Sequence, residues 1–191
     1  WPSLHDEERA LIGTLYKQAD PFEARKRGAA LVARNIASHI ERELTDKPRT
    51  WHPLVYCWRG GKRSAALATI LGQIGYPVQV LGGGYKAFRK AVLADFPRQV
   101  RRFGLRVVCG LTGSGKTRLL HALAGAGAQV LDLEHLASHR ASVLGAIPGQ
   151  PQPTQKRFET LLWYTLDQFD PARPIYVEAE SRKVGNLSLP T

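Results

Sequence analysis

The spacing of apolar positions changes along the chain and predicts segments of different structure. Between residues 4 and 45, apolar side chains recur at intervals of three and four, as at Leu11 and Leu15, and this period predicts helices. Asp20 followed by Pro21 is typical of a helix start within this region. Beyond residue 50, short apolar runs alternate with helical segments, which favours an α/β fold with parallel sheets.

Two strand–loop–helix–strand units are predicted in the second part of the chain. Their strands and helices alternate over residues 54–56, 64–74, 78–81, 105–109, 116–123 and 129–132, followed by a helix at 154–169 and a strand at 175–177. A basic segment at residues 86–106 separates the two units. We therefore predict two domains, residues 1–97 and residues 98–191.

The charge balance indicates a polyanionic partner. The chain has 27 Lys and Arg against 16 Asp and Glu, a formal net charge of +11, which favours nucleic acid over an anionic surface. The cations of the basic segment could follow a nucleic-acid backbone or form a solvated helix face. The candidate contacts are Lys86, Arg89, Lys90, Arg98, Arg101 and Arg102.

Other features narrow the class of protein. No apolar run approaches the roughly 18 residues of a membrane span. Two cysteines are too few for a disulfide framework, no spacing fits a zinc site, and the first residues do not resemble a signal peptide, which together favour a cytoplasmic protein. The sequence contains no Met, and we expect it to be part of a longer protein.

A cysteine lies between the predicted strand at 54–56 and the helix at 64–74. The loop contains two glycines and three cations, and consists of Cys57, Trp58, Arg59, Gly60, Gly61, Lys62, Arg63 and Ser64. Backbone N–H groups at a helix N-terminus point into such a loop, and neighbouring cations stabilise a thiolate. We predict a reactive thiolate in an anion-binding cradle rather than a buried structural cysteine.

The five residues between Cys57 and Arg63 resemble the active-site loop of the rhodanese superfamily, in the longer form shared with dual-specificity phosphatases. A loop of this length fits a group of phosphate size. The thiolate could carry a persulfide or perselenide, or it could attack a phosphorus atom. Tyr56 stands where tyrosine phosphatases have His, and no acidic Asp is near, which argues against a phosphatase.

A second loop has the pattern G-x4-G-K-T between a predicted strand and a predicted helix. Its backbone N–H groups are expected to surround phosphates, with Lys116 at the terminal phosphate and Thr117 able to hold Mg²⁺. The predicted diphosphate-binding residues are Gly110, Thr112, Gly113, Ser114, Gly115, Lys116 and Thr117. The pattern selects no particular base, and the guanine-reading sequence N-K-x-D does not occur.

Two acidic residues compete for a role beside this loop. Asp132 and Glu178 each follow a predicted strand, and either could bind Mg²⁺, act as an acid or be a solvated strand-end residue. Residues 132–140 are interpreted as a polar helix start rather than a zinc site. Cys109, at the end of the preceding strand, is predicted to be a packed, small apolar residue.

The combination of these two loops in one basic chain resembles the tRNA 2-selenouridine synthase family. The resemblance covers nearly the whole chain. The matching segments include CWRGGKRS at 57–64, GGGYKAFR at 82–89, GLTGSGKT at 110–117, DLEHLASHR at 132–140, QPTQKRFE at 152–159 and VEAESRKVG at 177–185.

The resemblance implies a rhodanese-like parallel-sheet domain followed by a P-loop α/β domain, and here we expect both to be incomplete. It implies an enzyme that replaces the sulfur of wobble 2-thiouridine in tRNA by selenium from selenophosphate, by way of S-geranylation from geranyl diphosphate. Cys57 then matches the catalytic cysteine. Two other functions stay open: a P-loop kinase or ATPase with a rhodanese sulfur carrier, and a non-enzymatic basic RNA-binding protein.

Overall fold

A computed structural model describes residues 1–111, 113–140, 145–179 and 181–190. The chain is a mixed α/β protein with parallel sheets, which confirms that part of the predicted fold class. It forms two compact units, Trp1–Phe88 and Arg89–Thr191. The division falls within a helix that also contains the predicted boundary at residue 97, and the assignment of two domains stays a prediction.

The first unit consists of a helical hairpin and a strand–helix–strand unit. Its elements are α1 (Asp6–Gln18), α2 (Pro21–Glu43), β1 (Leu54–Val55), α3 (Lys62–Ile74), β2 (Gln79–Val80) and the start of α4 (Gly84–Val100). The side chain of Asp20 accepts N–H groups of Phe22 and Glu23 at the start of α2, with Pro21 at the first helical position, as predicted. Helix α3 ends at Gly75, whose φ is +109°.

The two strands of the first unit pair in parallel, with Leu54 opposite Gln79 and Val55 opposite Val80. Helix α3 covers them and buries Leu67 and Leu71 against Val55. Ile36 of α2 completes this core. The packing holds the carboxyl end of β1 against the amino end of α3, where the cysteine loop lies.

The second unit contains a three-stranded parallel sheet. Its elements after α4 are β3 (Leu105–Val108), α5 (Lys116–Gly125), β4 (Gln129–Leu131), α6 (Leu133–Ala137), α7 (Gln155–Asp167), β5 (Ile175–Glu178), β6 (Lys183–Val184) and β7 (Leu187–Ser188). The strand order is β3-β5-β4, so β5 pairs with both of the others. Helix α7 packs on the sheet through Phe158, Leu162 and Leu166.

Helix α6 begins within the segment 132–140 that was interpreted as a polar helix start, and that interpretation is confirmed. Two other details differ from the sequence predictions. The antiparallel β6–β7 hairpin was not predicted, because strands of two residues carry too little periodicity. Cys109 is exposed, so its prediction as a packed core residue is wrong. The reason is that β3, which precedes it, is at the edge of the sheet. Over the described residues, no helix combines the length and apolar character needed to cross a membrane.

Candidate functional site

The sulfur of Cys57 lies in a loop of hydrogen-bond donors between β1 and α3. The backbone N–H of Gly61 donates to Sγ at 3.1 Å, and the hydroxyl of Ser64 lies 3.3 Å from it. Ser64 is buried and also lies 2.9 Å from the carbonyl oxygen of Gly61, so its one hydroxyl proton has two acceptors. Hydrogen-bond donors of the loop thus surround the sulfur atom, and an anion-binding site requires such donors.

These donors change the acidity of the thiol. Burial by itself raises the pKa of Cys57, but hydrogen bonds from the Ser64 hydroxyl and from backbone N–H groups of Gly61, Arg59 and Ser64 outweigh it, and the pKa falls to about 6. A thiol with this pKa is mostly thiolate at neutral pH. The chemistry expected of Cys57 is therefore nucleophilic.

The start of α4 holds the loop in place. The N–H of Tyr85 donates to the carbonyl oxygen of Cys57 at 2.9 Å, and the N–H of Lys86 donates to that of Trp58 at 3.0 Å. This close approach requires glycine at position 84, where φ is +61° and a Cβ atom would lie 2.1 Å from the carbonyl oxygen of Cys57. The segment Gly82–Gly84 therefore acts as part of the same site.

A cavity of about 610 Å³ opens beside Cys57. Its lining includes the aromatic side chains of Trp58 and Tyr85 together with the cation Arg63. The other two loop cations, Arg59 and Lys62, are exposed. The predicted loop residues therefore do lie together, with a thiolate, backbone donors and positive charge at one end of α3.

The second loop follows β3 and leads into α5. Its glycines at positions 113 and 115 have φ of +80° and +86°. The Nζ of Lys116 donates to the carbonyl oxygens of Gly110 at 2.9 Å and Leu111 at 3.2 Å, so the ammonium group lies across the loop. Thr112, predicted to bind diphosphate, lies outside the described residues. The loop also brings Ser114 close to Gly110. A side chain at position 110 would clash with it, because its Cβ atom would lie 2.6 Å from Oγ of Ser114.

Hydrogen bonds connect Thr117 to Glu134, and Glu134 to Glu178. The Oγ1 of Thr117 donates to Oε2 of Glu134 at 3.2 Å, and the N–H of Glu134 donates to Oε1 of Glu178 at 3.0 Å. Glu178 is 5% exposed, and its Oε2 has no hydrogen-bond partner among the described residues. Burial raises the pKa of Glu178, opposed by the backbone hydrogen bonds that its carboxylate accepts. Glu178 is therefore a buried carboxyl group that prefers a proton or a cation, next to the start of α6.

The comparisons with known proteins agree with the two loops. Residues 103–191 match the family model described as the tRNA 2-selenouridine synthase AAA domain. A tRNA 2-selenouridine synthase of Nitrosomonas europaea is 39% identical over 194 residues, which are 99% of this chain and 50% of that protein. Another, from a Sulfurovum species, is 39% identical over 99% of this chain and 51% of its own length. This chain belongs to the tRNA 2-selenouridine synthase family.

The family resemblance inferred from the motifs is thereby confirmed. The chain spans about half the length of the curated family members that it matches. Among solved structures, the N-terminal domain of a Clostridium difficile 630 protein described as ATP/GTP binding is 33% identical. That match covers 49% of this chain and 72% of the other, with a TM-score of 0.41.

The structure separates the two acids that competed for a role beside the P-loop of this family member. Glu178 ends β5, the neighbour of the strand that leads into the P-loop. Asp132 instead begins α6, where its carboxylate accepts the N–H of His135 at 2.8 Å and lies 3.1 Å from Nε2 of His121. Sequence reasoning assigned no role to Glu134. The sequence did offer one indication of a role for Glu134: it lies within the family segment 132–140, two residues after Asp132.

The predicted nucleic-acid contacts of the family member divide into two groups. Lys86, Lys90, Arg98 and Arg101 are exposed. Arg102 is exposed as well, with Nη1 donating to Gln99 at 2.6 Å, and Arg98 also pairs with Asp95. Arg89 is only 7% exposed and forms an ion pair with Glu159 and a 2.7 Å hydrogen bond to Thr160. Its prediction as a nucleic-acid contact is corrected, because its charge is used inside the second unit.

Proposed function

We propose that the protein modifies tRNA by replacing the sulfur of wobble 2-thiouridine with selenium. Membership of the tRNA 2-selenouridine synthase family supports the substrate and the reaction class. The observation that carries the proposal is the Cys57 thiolate, whose pKa is lowered to about 6 by donors in a loop that fits a phosphate-sized group. We further propose that the unit containing Cys57 has a rhodanese-like fold and that the enzyme is cytoplasmic.

The loop chemistry fits attack by the Cys57 thiolate on the phosphorus of selenophosphate. An S–P bond forms as the P–Se bond breaks, and selenium leaves with the bonding electrons as HSe⁻. Direct transfer of selenium to the sulfur would instead expel phosphite, so in this proposal the attack is on phosphorus, which yields phosphate. Water then hydrolyses the phosphocysteine to phosphate and the free thiolate, and the cradle donors stabilise the phosphoryl oxygens.

Displacement at the base requires a leaving group. In the proposed sequence the sulfur of 2-thiouridine first attacks C1 of geranyl diphosphate. A C–S bond forms, the C1–O bond breaks so that diphosphate leaves, and N3 of the base loses its proton to water. HSe⁻ then attacks C2 of the base, the C2–S bond breaks, and the geranylthiolate leaves and takes the selenol proton. In this scheme the P-loop, with Lys116, stabilises the charge that develops on diphosphate.

A second candidate function is that of an ATP-dependent kinase or ATPase. The hydrogen-bonded series Thr117–Glu134–Glu178 favours it, because a P-loop hydroxyl beside a carboxylate suits Mg²⁺ bound together with nucleotide phosphates. Within the described ranges no three His, Cys, Asp or Glu side chains come together as a metal site. A Mg²⁺ ion would therefore take several of its ligands from phosphate and water.

Mass spectrometry of tRNA nucleosides tests both candidates. The full chain is incubated with tRNA that contains wobble 2-thiouridine and with selenophosphate, with and without geranyl diphosphate. We expect 2-selenouridine when both donors are present, and S-geranyl-2-thiouridine when selenophosphate is left out. Cys57→Ser should stop selenation but preserve geranylation. Absence of both products together with Lys116-dependent ATP hydrolysis would favour the second candidate.

A further inference from the structure

Aromatic side chains border the cavity beside Cys57, and the reaction scheme above gives them no role. Trp58 follows the nucleophile directly and is 46% exposed. The ring of Tyr85 lies 5.5 Å from it, between centroids, at an interplanar angle of 33°. Both rings line the same cavity as the thiol. A large aromatic surface is therefore open to a ligand at the point where the reaction is expected.

We propose that Trp58, supported by Tyr85, stacks on the nucleobase that reacts at the Cys57 site. The proposal deepens the proposed function, since it takes the reacting base to be the wobble base of tRNA. Trp58 is in this view a substrate-binding residue, and Tyr85 a positioning residue behind it. The base would enter the cavity out of its stack in the anticodon loop, with the edge that carries C2 towards the Cys57 loop.

The backbone connects the aromatic pair to the nucleophile. Tyr85 donates its N–H to the carbonyl oxygen of Cys57, and the carbonyl oxygen of Trp58 accepts the N–H of Lys86, at 2.9 and 3.0 Å. Gly84 allows this contact at a distance that no side chain would tolerate. The two rings therefore keep a defined position relative to the sulfur, which is what placement of a reacting base requires.

The chemistry of the cavity agrees with a nucleotide as its occupant. Single-stranded RNA is recognised mainly by stacking of unpaired bases on aromatic rings, and the phosphates that flank the base need cations. Arg9 and Arg63 line the same cavity, and Lys86 is exposed one residue after Tyr85. The volume of about 610 Å³ accommodates a base with its ribose. An acidic peptide would use the cations but not the stacked rings.

Binding of an anticodon stem–loop RNA to the full chain tests the proposal. The RNA carries 2-aminopurine at the wobble position, because the fluorescence of this base falls when it stacks. We expect quenching on wild-type protein and on Trp58→Phe. Trp58→Ala should lose the quenching and bind about 5- to 150-fold more weakly, the range that one stacked base represents. Tyr164→Ala, which removes an exposed aromatic ring from α7, is the matched control and should change neither signal.

An RNA without a base at the wobble position separates stacking from indirect effects. Trp58→Ala should cost little affinity for this RNA, because there is no base to stack. Equal losses on the intact and abasic RNAs would overturn the proposal, since Trp58 would then act through the loop or the phosphates. The pH dependence of Cys57 alkylation should be unchanged in Trp58→Ala, which shows that the loop is intact.

The proposed function can fail separately. If wild-type protein forms 2-selenouridine and Trp58→Ala does so with the same kcat/KM, the stacking proposal is wrong and the function stands. If wild-type protein forms no modified nucleoside and binds no anticodon stem–loop, both are wrong. Quenching that depends on Trp58 in a protein that forms no selenouridine supports the base site and rejects only the reaction.

Discussion

The hydroxyl of Ser64 lies 3.3 Å from Sγ of Cys57, and Ser64 itself is only 2% exposed. This buried donor is the first of those that lower the pKa of the thiol. We expect Ser64→Ala to move the midpoint of Cys57 alkylation to higher pH by about one unit, the effect of one hydrogen bond to a charged group. Alkylation rates measured across pH give the midpoint. Ser38→Ala on α2 is the control, and an unmoved midpoint in Ser64→Ala would contradict the assignment.

Gly84 and Gly72 make a matched pair for the close contact behind the Cys57 loop. A Cβ atom at Gly84 would lie 2.1 Å from the carbonyl oxygen of Cys57, whereas none of the surrounding atoms is within 4 Å of one at Gly72. Gly84→Ala should lower the free energy of unfolding by more than about 2 kcal/mol. Gly72→Ala, within α3, should raise it by up to about 1 kcal/mol. Urea denaturation measures both, and similar values for the two variants would reject the contact.

The raised pKa of Glu178 predicts a specific pH dependence of stability. Its folded pKa lies above its unfolded pKa, so its favourable contribution is complete below the unfolded value and is lost as pH rises through the folded value. Glu178→Gln cannot ionise. The stability of this variant relative to wild type should therefore increase from about pH 4 to pH 8. Urea titrations at several pH values test this, with Glu41→Gln on α2 as control. A pH-independent difference would show that the carboxyl group is not perturbed.

Lys116→Ala should lower formation of S-geranyl-2-thiouridine at least about tenfold, because the developing charge on diphosphate loses its ammonium partner. Conversion of 2-thiouridine to 2-selenouridine should fall with it. A tRNA that already carries the geranyl group should still be selenated. Nucleoside mass spectrometry measures all three reactions, and Lys183→Ala is the control. Geranylation that survives the loss of Lys116 would remove the P-loop from the scheme.

The exposed arginines at the end of α4 should contribute to tRNA affinity by neutralising phosphates. Replacing Arg98, Arg101 and Arg102 by Gln should flatten the dependence of log K on log salt, by about 0.7–0.9 for each phosphate that is no longer neutralised. Arg89→Gln should instead destabilise the fold, by up to about 3 kcal/mol, because it leaves the mostly buried carboxylate of Glu159 with only the amide of Gln155 as a partner. Salt titrations of tRNA binding and urea denaturation distinguish the two effects. An unchanged salt slope in the triple variant would make these arginines a solvated helix face.

Sequence reasoning predicted the structural features that depend on a short segment of the chain. The order strand, cysteine or glycine loop, helix is local, and so are the caps at Asp20 and Gly75, so both loops were found. The role of Arg89 depends on Glu159, which is 70 residues away. The approach of Glu134 to Thr117 likewise depends on how α6 packs. Charge at Arg89 was visible in the sequence, but its burial was not.

The strand order β3-β5-β4 has a consequence for synthesis of the chain. Among the described residues, β3 and β4 each pair with β5, the last of the three to leave the ribosome. Until residues 175–178 emerge, neither β3 nor β4 has its partner from the described part of the sheet, whereas β1 and β2 can already pair beneath α3. The second unit thus acquires its sheet in one late step of high contact order, and a nascent chain that stalls before Tyr176 would expose its strands to chaperones or to aggregation.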